Sequence, residues 1–216
     1  IAYKIVKNKK RRQFAYFRSI TCRNITSNNI KTIWIPPHIT EIEDYAFCQC
    51  KMLTKVNFSL MSHLQKIGKF AFANTSIRNI TIPANIQKIN EGLFANCQNL
   101  KSVDFSNGSM LTTIDSAAFC ASSIEKLTIP SNVTELKVGW CLNTPMLNDI
   151  NISTYNLHLF YYNDSFIIDK RLKENLLFSR RNIQRIVIPS FIKRISPFAF
   201  DYCKEIQNFN PLNIPQ

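Results

Sequence analysis

The chain can be laid over itself at one fixed offset. Ile82-Pro83 recurs as Ile35-Pro36 and as Ile129-Pro130, 47 residues to either side. Each period holds two half-units, one reading Ile-Pro-x-x-Ile-x-x-Ile followed by a Phe, the other with Phe-Ser in place of Ile-Pro. The Phe anchors are Phe47, Phe72, Phe94 and Phe119, alternately 25 and 22 residues apart, so one unit is about 23 residues long. A period of that size predicts a solenoid, because no single unit can bury its apolar face alone and stacking buries them all.

Within each unit a short strand of pattern L-x-x-V-x-I turns its apolar residues inward and the residues between them outward, by the period of two. Eight such inward sets run from Ile30/Ile33/Ile35 through Leu53/Val56/Phe58 and Ile77/Ile80/Ile82 to Ile206/Phe209. Stacked about 4.8 Å apart, they predict a parallel ladder roughly 35 to 40 Å long. Pro36, Pro83, Pro130 and Pro189 follow four of the strands and take an amide out of the ladder. A second inward pair (Ile39/Ile42, Ile86/Ile89, Val133/Leu136, Ile192/Ile195) precedes the Ala-Phe anchor, which is expected on a short helical turn. Cys141 takes the anchor position in the fifth unit with Trp140 beside it, and Phe200 restores the anchor later.

Two stretches leave the pattern. Tyr3 to Tyr16 matches Ser165 to Phe178 at a constant offset of 162, each with two apolar runs around a polar centre, the mark of a β-hairpin. The expected organisation is therefore a hairpin of a truncated preceding module at 1–18, repeats at 19–164, an inserted hairpin at 165–178, and repeats at 179–216, with the array incomplete at both ends. The net charge of +13 sits mainly in the ends: residues 1–34 hold nine Lys and Arg and no acid, and residues 35–169 hold nine bases against eleven acids. The run Lys7 to Arg12 is most simply the turn of the first hairpin, and a nucleic-acid patch is the sharper but disfavoured reading. No stretch has the roughly 18 apolar residues of a membrane span.

Little points to catalysis. The seven cysteines form no C-x-x-C pair, and Cys50, Cys97 and Cys203 recur three residues after an anchor Phe, as small buried hydrophobes do. His38, His63 and His158 share no metal-ligand spacing, and the four glycines make no phosphate-cradling loop. The expectation is a chain with no catalytic residues, no metal and no cofactor. Function is better sought in the outward strand residues, which a ladder displays as two columns. The candidate surface is its N-terminal end: Trp34, Lys55, Asn57, Asn79 and Thr81, with Trp34 a large exposed aromatic of the kind enriched at binding hot spots. Sequons add a second signal. Eight occur, against roughly three expected by chance, and those at Asn24, Asn74, Asn107, Asn132 and Asn163 are glycosylation candidates away from the ladder columns. They favour a secreted chain.

Residues Ile35 to Phe58 and Ile82 to Phe105 fit, nearly position for position, the pattern I-P-x-x-V-x-x-I-x-x-x-A-F-x-x-C-x-x-L-x-x-V. That pattern resembles the repeat of BspA-like leucine-rich-repeat proteins. The alternating coil from Phe105 to Ile114, closing at Ser122 to Pro130, is similar to the surface-antigen branch of that family. The resemblance implies an α/β solenoid of leucine-rich-repeat type: a right-handed superhelix, β-rich, with a parallel ladder, short helical turns and an inserted β-hairpin. It also implies a cell-surface or secreted module for adhesion, with a protein, matrix or glycan ligand and no fixed set of binding residues. An intracellular repeat scaffold or a basic nucleic-acid-binding module is the alternative.

Overall fold

The computed structural model describes residues 18–21, 29–170 and 174–210, so the hairpin expected at 1–18 lies, apart from Arg18, outside the described residues. Among the described residues, eight long strands of three or four residues define coils 1 to 8: Thr32–Ile35, Lys55–Phe58, Asn79–Ile82, Ser102–Phe105, Lys126–Ile129, Asp149–Ile152, Arg185–Val187 and Asn208–Asn210. Short strands such as Glu41–Ile42, Lys66–Ile67, Lys88–Ile89 and Thr113–Ile114 follow the first four. Where the long strands of successive coils pair they do so in parallel, with Trp34 opposite Asn57 and Thr81 opposite Asp104. Most inward residues, Ile35, Leu53, Ile77, Ile82, Leu100 and Ile124 among them, are fully buried, while Ile30, Ile33, Phe58, Phe105 and Ile152 are partly buried against the same core.

A column of aromatic rings runs through the core. Phe47, Phe72, Phe94 and Phe119 stack almost parallel at 5.4, 5.9 and 5.7 Å between centroids. In coil 5 the column continues through Trp140, edge-on to Phe119 at 6.1 Å, and then through Phe178 at 5.8 Å. A thiol in the Cys141 position is too small to span a coil, and the neighbouring indole fills the gap.

The anchor segments are not helical, and among the described residues there is no helix at all. Tyr45, Phe47 and Gln49 donate their amides to the carbonyls of Lys69, Ala71 and Ala73 in the next coil at 2.9, 2.8 and 3.0 Å. Ala46, Cys48 and Cys50, between them, donate three residues back to Glu43, Tyr45 and Phe47. A helix would spend every amide inside its own coil. Here alternate amides go across, and the chain achieves this by entering the left-handed region two residues before and two after each anchor. Those residues are Tyr45/Gln49, Phe70/Asn74, Gly92/Asn96, Ala117/Ala121, Gly139/Asn143 and Phe198/Tyr202, all with φ between 53° and 69°. Each non-glycine among them costs about 1–2 kcal/mol of backbone strain, which the inter-coil bonds offset.

The ladder is not continuous. Coils 1 and 2, 3 and 4, and 5 and 6 each pair over four residues, whereas coils 4 and 5 pair over two and coils 2 and 3 have no strand pairing. The alternation follows the residue after each strand. Ser59, Ser106 and Ser153 donate their amides to Ile35, Ile82 and Ile129 of the preceding coil at 3.2, 2.9 and 3.0 Å. Pro83 and Pro130 stand at the equivalent place on the alternate junctions and have no amide to donate. The 47-residue period is thus a couplet of coils. At the junction of coils 2 and 3 the short strands are also unpaired, and Asn90 Nδ2 reaches Ile67 O at 2.7 Å instead.

The expected hairpin is present as Phe166–Asp169 and Asn175–Ser179, antiparallel, with Leu159–Tyr162 added as a third strand before it. It is not a surface appendage. Phe166–Asp169 is buried throughout, with Ile167 in the core of coils 1 to 6 and Phe166 and Ile168 in a second core with Ile183, Ile186 and Ile188.

Two measurements test this account. Amide exchange at Asn79 and Thr81, which face the unpaired junction, will be faster than at Ser102 and Asp104 one coil on. A Cβ at Gly92 would fall 2.1 Å from Phe70 Cε1 with φ at +61°. Gly92→Ala will therefore lower stability in chemical denaturation by about 1–3 kcal/mol. Adding Phe70→Ala will cost less than the sum of the two changes.

Candidate ligand-binding face

The outward residues of the long strands form the two expected columns. One runs Thr32, Lys55, Asn79, Ser102, Lys126, Asp149 and the other Trp34, Asn57, Thr81, Asp104, Thr128, Asn151, each paired in register with its neighbour except across the junction of coils 2 and 3 and between Asp104 and Thr128. Trp34 is 48% exposed, on a strand paired over its full length, and its register partner Asn57 is half-buried. Lys55, Asn79 and Thr81 are exposed. Asn79 Oδ1 accepts the Ser102 hydroxyl at 3.0 Å, which ties it to coil 4. Trp34, Asn57 and Lys55 therefore share one couplet, while Asn79 and Thr81 belong to the next, across the unpaired junction.

The charges on this face divide along its length. Lys126 pairs with Asp149 at 3.0 Å and Lys101 pairs with Glu125, each joining adjacent coils. On the flank, Lys66–Glu41, Lys69–Glu91 and Lys88–Asp115 do the same at 2.7, 2.9 and 2.7 Å. Such exposed pairs contribute little stability each. Lys88 and the Ser116 amide hold the Asp115 carboxyl below its ordinary value despite the opposing effect of burial.

The candidate glycosylation sites differ in their surroundings. Asn107 and Asn163 are exposed, the latter left-handed in the turn between Leu159–Tyr162 and Phe166–Asp169. Asn132 Nδ2 is already bonded to Ser109 O at 2.9 Å, and Asn74 is half-buried in an anchor segment. Asn24 lies outside the described residues.

Arg181 carries no signal in the repeat pattern. It is buried, with its guanidinium 4.5 Å over the Phe178 ring, and it donates to Ala199 O at 3.3 Å and to Cys141 O and Sγ at 3.2 Å. Burial pushes the Cys141 thiol from 9.0 up to about 12, against the opposing pull of Arg181. This cluster joins coil 5 to the inserted sheet and holds a thiol that stays protonated. Among the described residues no group of His, Cys, Asp and Glu is placed to hold a metal ion, and no helix is long and apolar enough to cross a membrane.

The pattern of coils has matches among known proteins. The model of the BspA type leucine-rich repeat region matches residues 18–148 and 152–214, in six copies. The chain belongs to this family. Among solved structures it is similar to the pneumococcal vaccine antigen PcpA, with 27% identity, a TM-score of 0.74, and coverage of 79% of this chain and 42% of that one. A leucine-rich cell surface protein from Faecalibacterium prausnitzii A2-165 shares the fold at 21% identity and TM-score 0.64, over 82% of this chain and 53% of that one. A leucine-rich repeat protein from Eubacterium ventriosum does so at 23% identity and TM-score 0.63, over 79% of this chain and 47% of that one. The chain thus spans about half the length of the structures it matches. A comparison with curated protein sequences gave no match.

Thiol labelling checks the burial of the cysteines. At pH 8 a maleimide will modify the half-buried Cys48 and Cys120 in the native BspA-type array and spare Cys97 and Cys141 until denaturant is added, as read by peptide mass spectrometry. Because the folded Cys141 thiol titrates near 12 and the unfolded one near 9.0, its contribution to stability is complete below the lower value and is lost as pH rises between them.

Proposed function

We propose that this BspA-type array is a non-enzymatic, cell-surface or secreted module for adhesion. It holds a host or matrix protein on the ladder face around Trp34, Lys55, Asn57, Asn79 and Thr81. The observation that carries this reading is Trp34: a large indole, 48% exposed, fixed on a strand hydrogen-bonded along its length. A side chain held by a sheet loses little further freedom on binding, so more of its contact energy appears as affinity. The similarity to PcpA, described as a vaccine antigen, supports a surface setting.

Binding of the purified array to a panel of purified matrix proteins tests the reading, with wild type and Trp34→Ala matched for melting temperature. A truncated hot spot costs about 2 kcal/mol or more, so a ligand held by this face will bind Trp34→Ala at least tenfold more weakly. Equal binding of the two proteins would place the site elsewhere. Capture of oligonucleotides with affinity falling steeply in salt would replace the proposal with nucleic-acid binding.

A further inference from the structure

Resting on that reading of the ladder face, we infer its partner's chemistry: coils 1 to 3 take an acidic, extended segment of a protein, its carboxylates held by Lys31, Lys55 and Arg78 beside Trp34. The inference starts from a difference between the two ends of the ladder face. In coils 4 and 5 the lysines at the ladder, Lys101 and Lys126, each have a carboxylate one coil on. Lys66, Lys69 and Lys88 on the flank are likewise neutralised across coils. All 14 Asp and Glu of the chain fall among the described residues, and none lies within ion-pair distance of Lys31, Lys55 or Arg78.

These three cations are exposed, Lys55 in the column opposite Thr32 and Lys31 and Arg78 each one residue before that column. The Lys31 carbonyl accepts the amides of Thr54 and Lys55, and Arg78, two coils on in the same position as Lys31, accepts those of Lys101 and Ser102. With paired strands about 4.8 Å apart and the unpaired junction of coils 2 and 3 no closer, the charges span at least roughly 10 Å. Same-face residues of an extended peptide repeat at about 6.7 Å, so two alternate carboxylates fit that span. Asn57, Asn79 and Thr81 lie between and offer amide and hydroxyl groups to a peptide backbone. Like charges brought together without partners oppose folding, so stability does not account for the cluster. Three cations around a tryptophan suit a protein segment better than a nucleic-acid backbone, whose binding is dominated by contacts to a continuous row of phosphates.

Fluorescence anisotropy with the full 216-residue chain tests this. The probes are a labelled peptide with Glu at alternate positions, the same peptide with Lys, a heparin oligosaccharide and a single-stranded oligonucleotide. The Glu peptide is expected to bind, and the Lys peptide not to. Lys31→Gln/Lys55→Gln/Arg78→Gln should weaken the Glu peptide at least tenfold without lowering Tm. Lys66→Gln/Lys69→Gln/Lys137→Gln, which removes the same charge from the flank of the short strands, should change it less than twofold. Equal weakening by both triple variants, absence of Glu-peptide binding, or tighter binding of heparin or oligonucleotide would each overturn the acidic-segment inference. Failure of the Glu peptide with a matrix protein still lost in Trp34→Ala would sink this inference alone. If Trp34→Ala and the ladder triple variant both bind every ligand as wild type does, the ladder-face reading fails with it.

Discussion

The structure depends on how the anchor turn distributes its amides. A segment that bonded only to itself would leave each coil joined to the next at this edge through side chains alone. By sending alternate amides across, from Phe47 to Ala71, Phe72 to Leu93 and Phe94 to Ala118, the turn forms a third line of inter-coil hydrogen bonds along the edge where the aromatic column lies. That line holds where the others stop. Between coils 2 and 3 both strand ladders are interrupted, yet the amides of Phe70, Phe72 and Asn74 still reach Glu91, Leu93 and Ala95, and Phe72 still stacks on Phe94 at 5.9 Å. The left-handed residues flanking each anchor are the local cost of this arrangement, and they recur because the benefit recurs.

Much of this was legible in the sequence, and the reasons for the rest are specific. Inward and outward positions follow from period-two alternation, which is why Ile80 and Ile82 are buried while Asn79 and Thr81 are exposed, and why Trp34 was expected at the surface. The short helical turn expected at the anchor is absent among the described residues. A contrary signal was present in Gly92, Gly139, Asn74, Asn96 and Asn143, residue types that tolerate positive φ, at fixed distances from the anchors. Tyr45, Phe70 and Phe198 at the same positions hid it, because an aromatic there is uncommon and is held by packing, Tyr45 stacking on Phe70 at 5.3 Å and Phe70 lying over Gly92.

Other features depend on partners that spacing does not name. Leu159–Tyr162 lacks the alternation of a half-exposed strand, so nothing separated it from the coil before it. The pair Lys126–Asp149 follows from laying the columns side by side. Lys101–Glu125 and Lys88–Asp115 join positions outside the columns, so the charge state of the face could be judged only once every carboxylate had a place. Arg181 is furthest from any pattern, since its environment is assembled from Cys141, Phe178 and Ala199, in three separate segments.

The proline alternation also bears on the face itself. Trp34 and Lys55 sit on a couplet whose strands are bonded along their length, and Arg78, Asn79 and Thr81 sit on the next couplet, joined to the first by the anchor turn but not by the ladder. A ligand contacting only one couplet meets a rigid surface. One that spans both couplets bridges, with its own contacts, a junction that Pro83 leaves without a strand bond, so part of its binding energy goes to fixing the spacing of the two couplets. The same residue that divides the array into couplets therefore gives this face a place to adapt, while the aromatic column beneath keeps the coils in register.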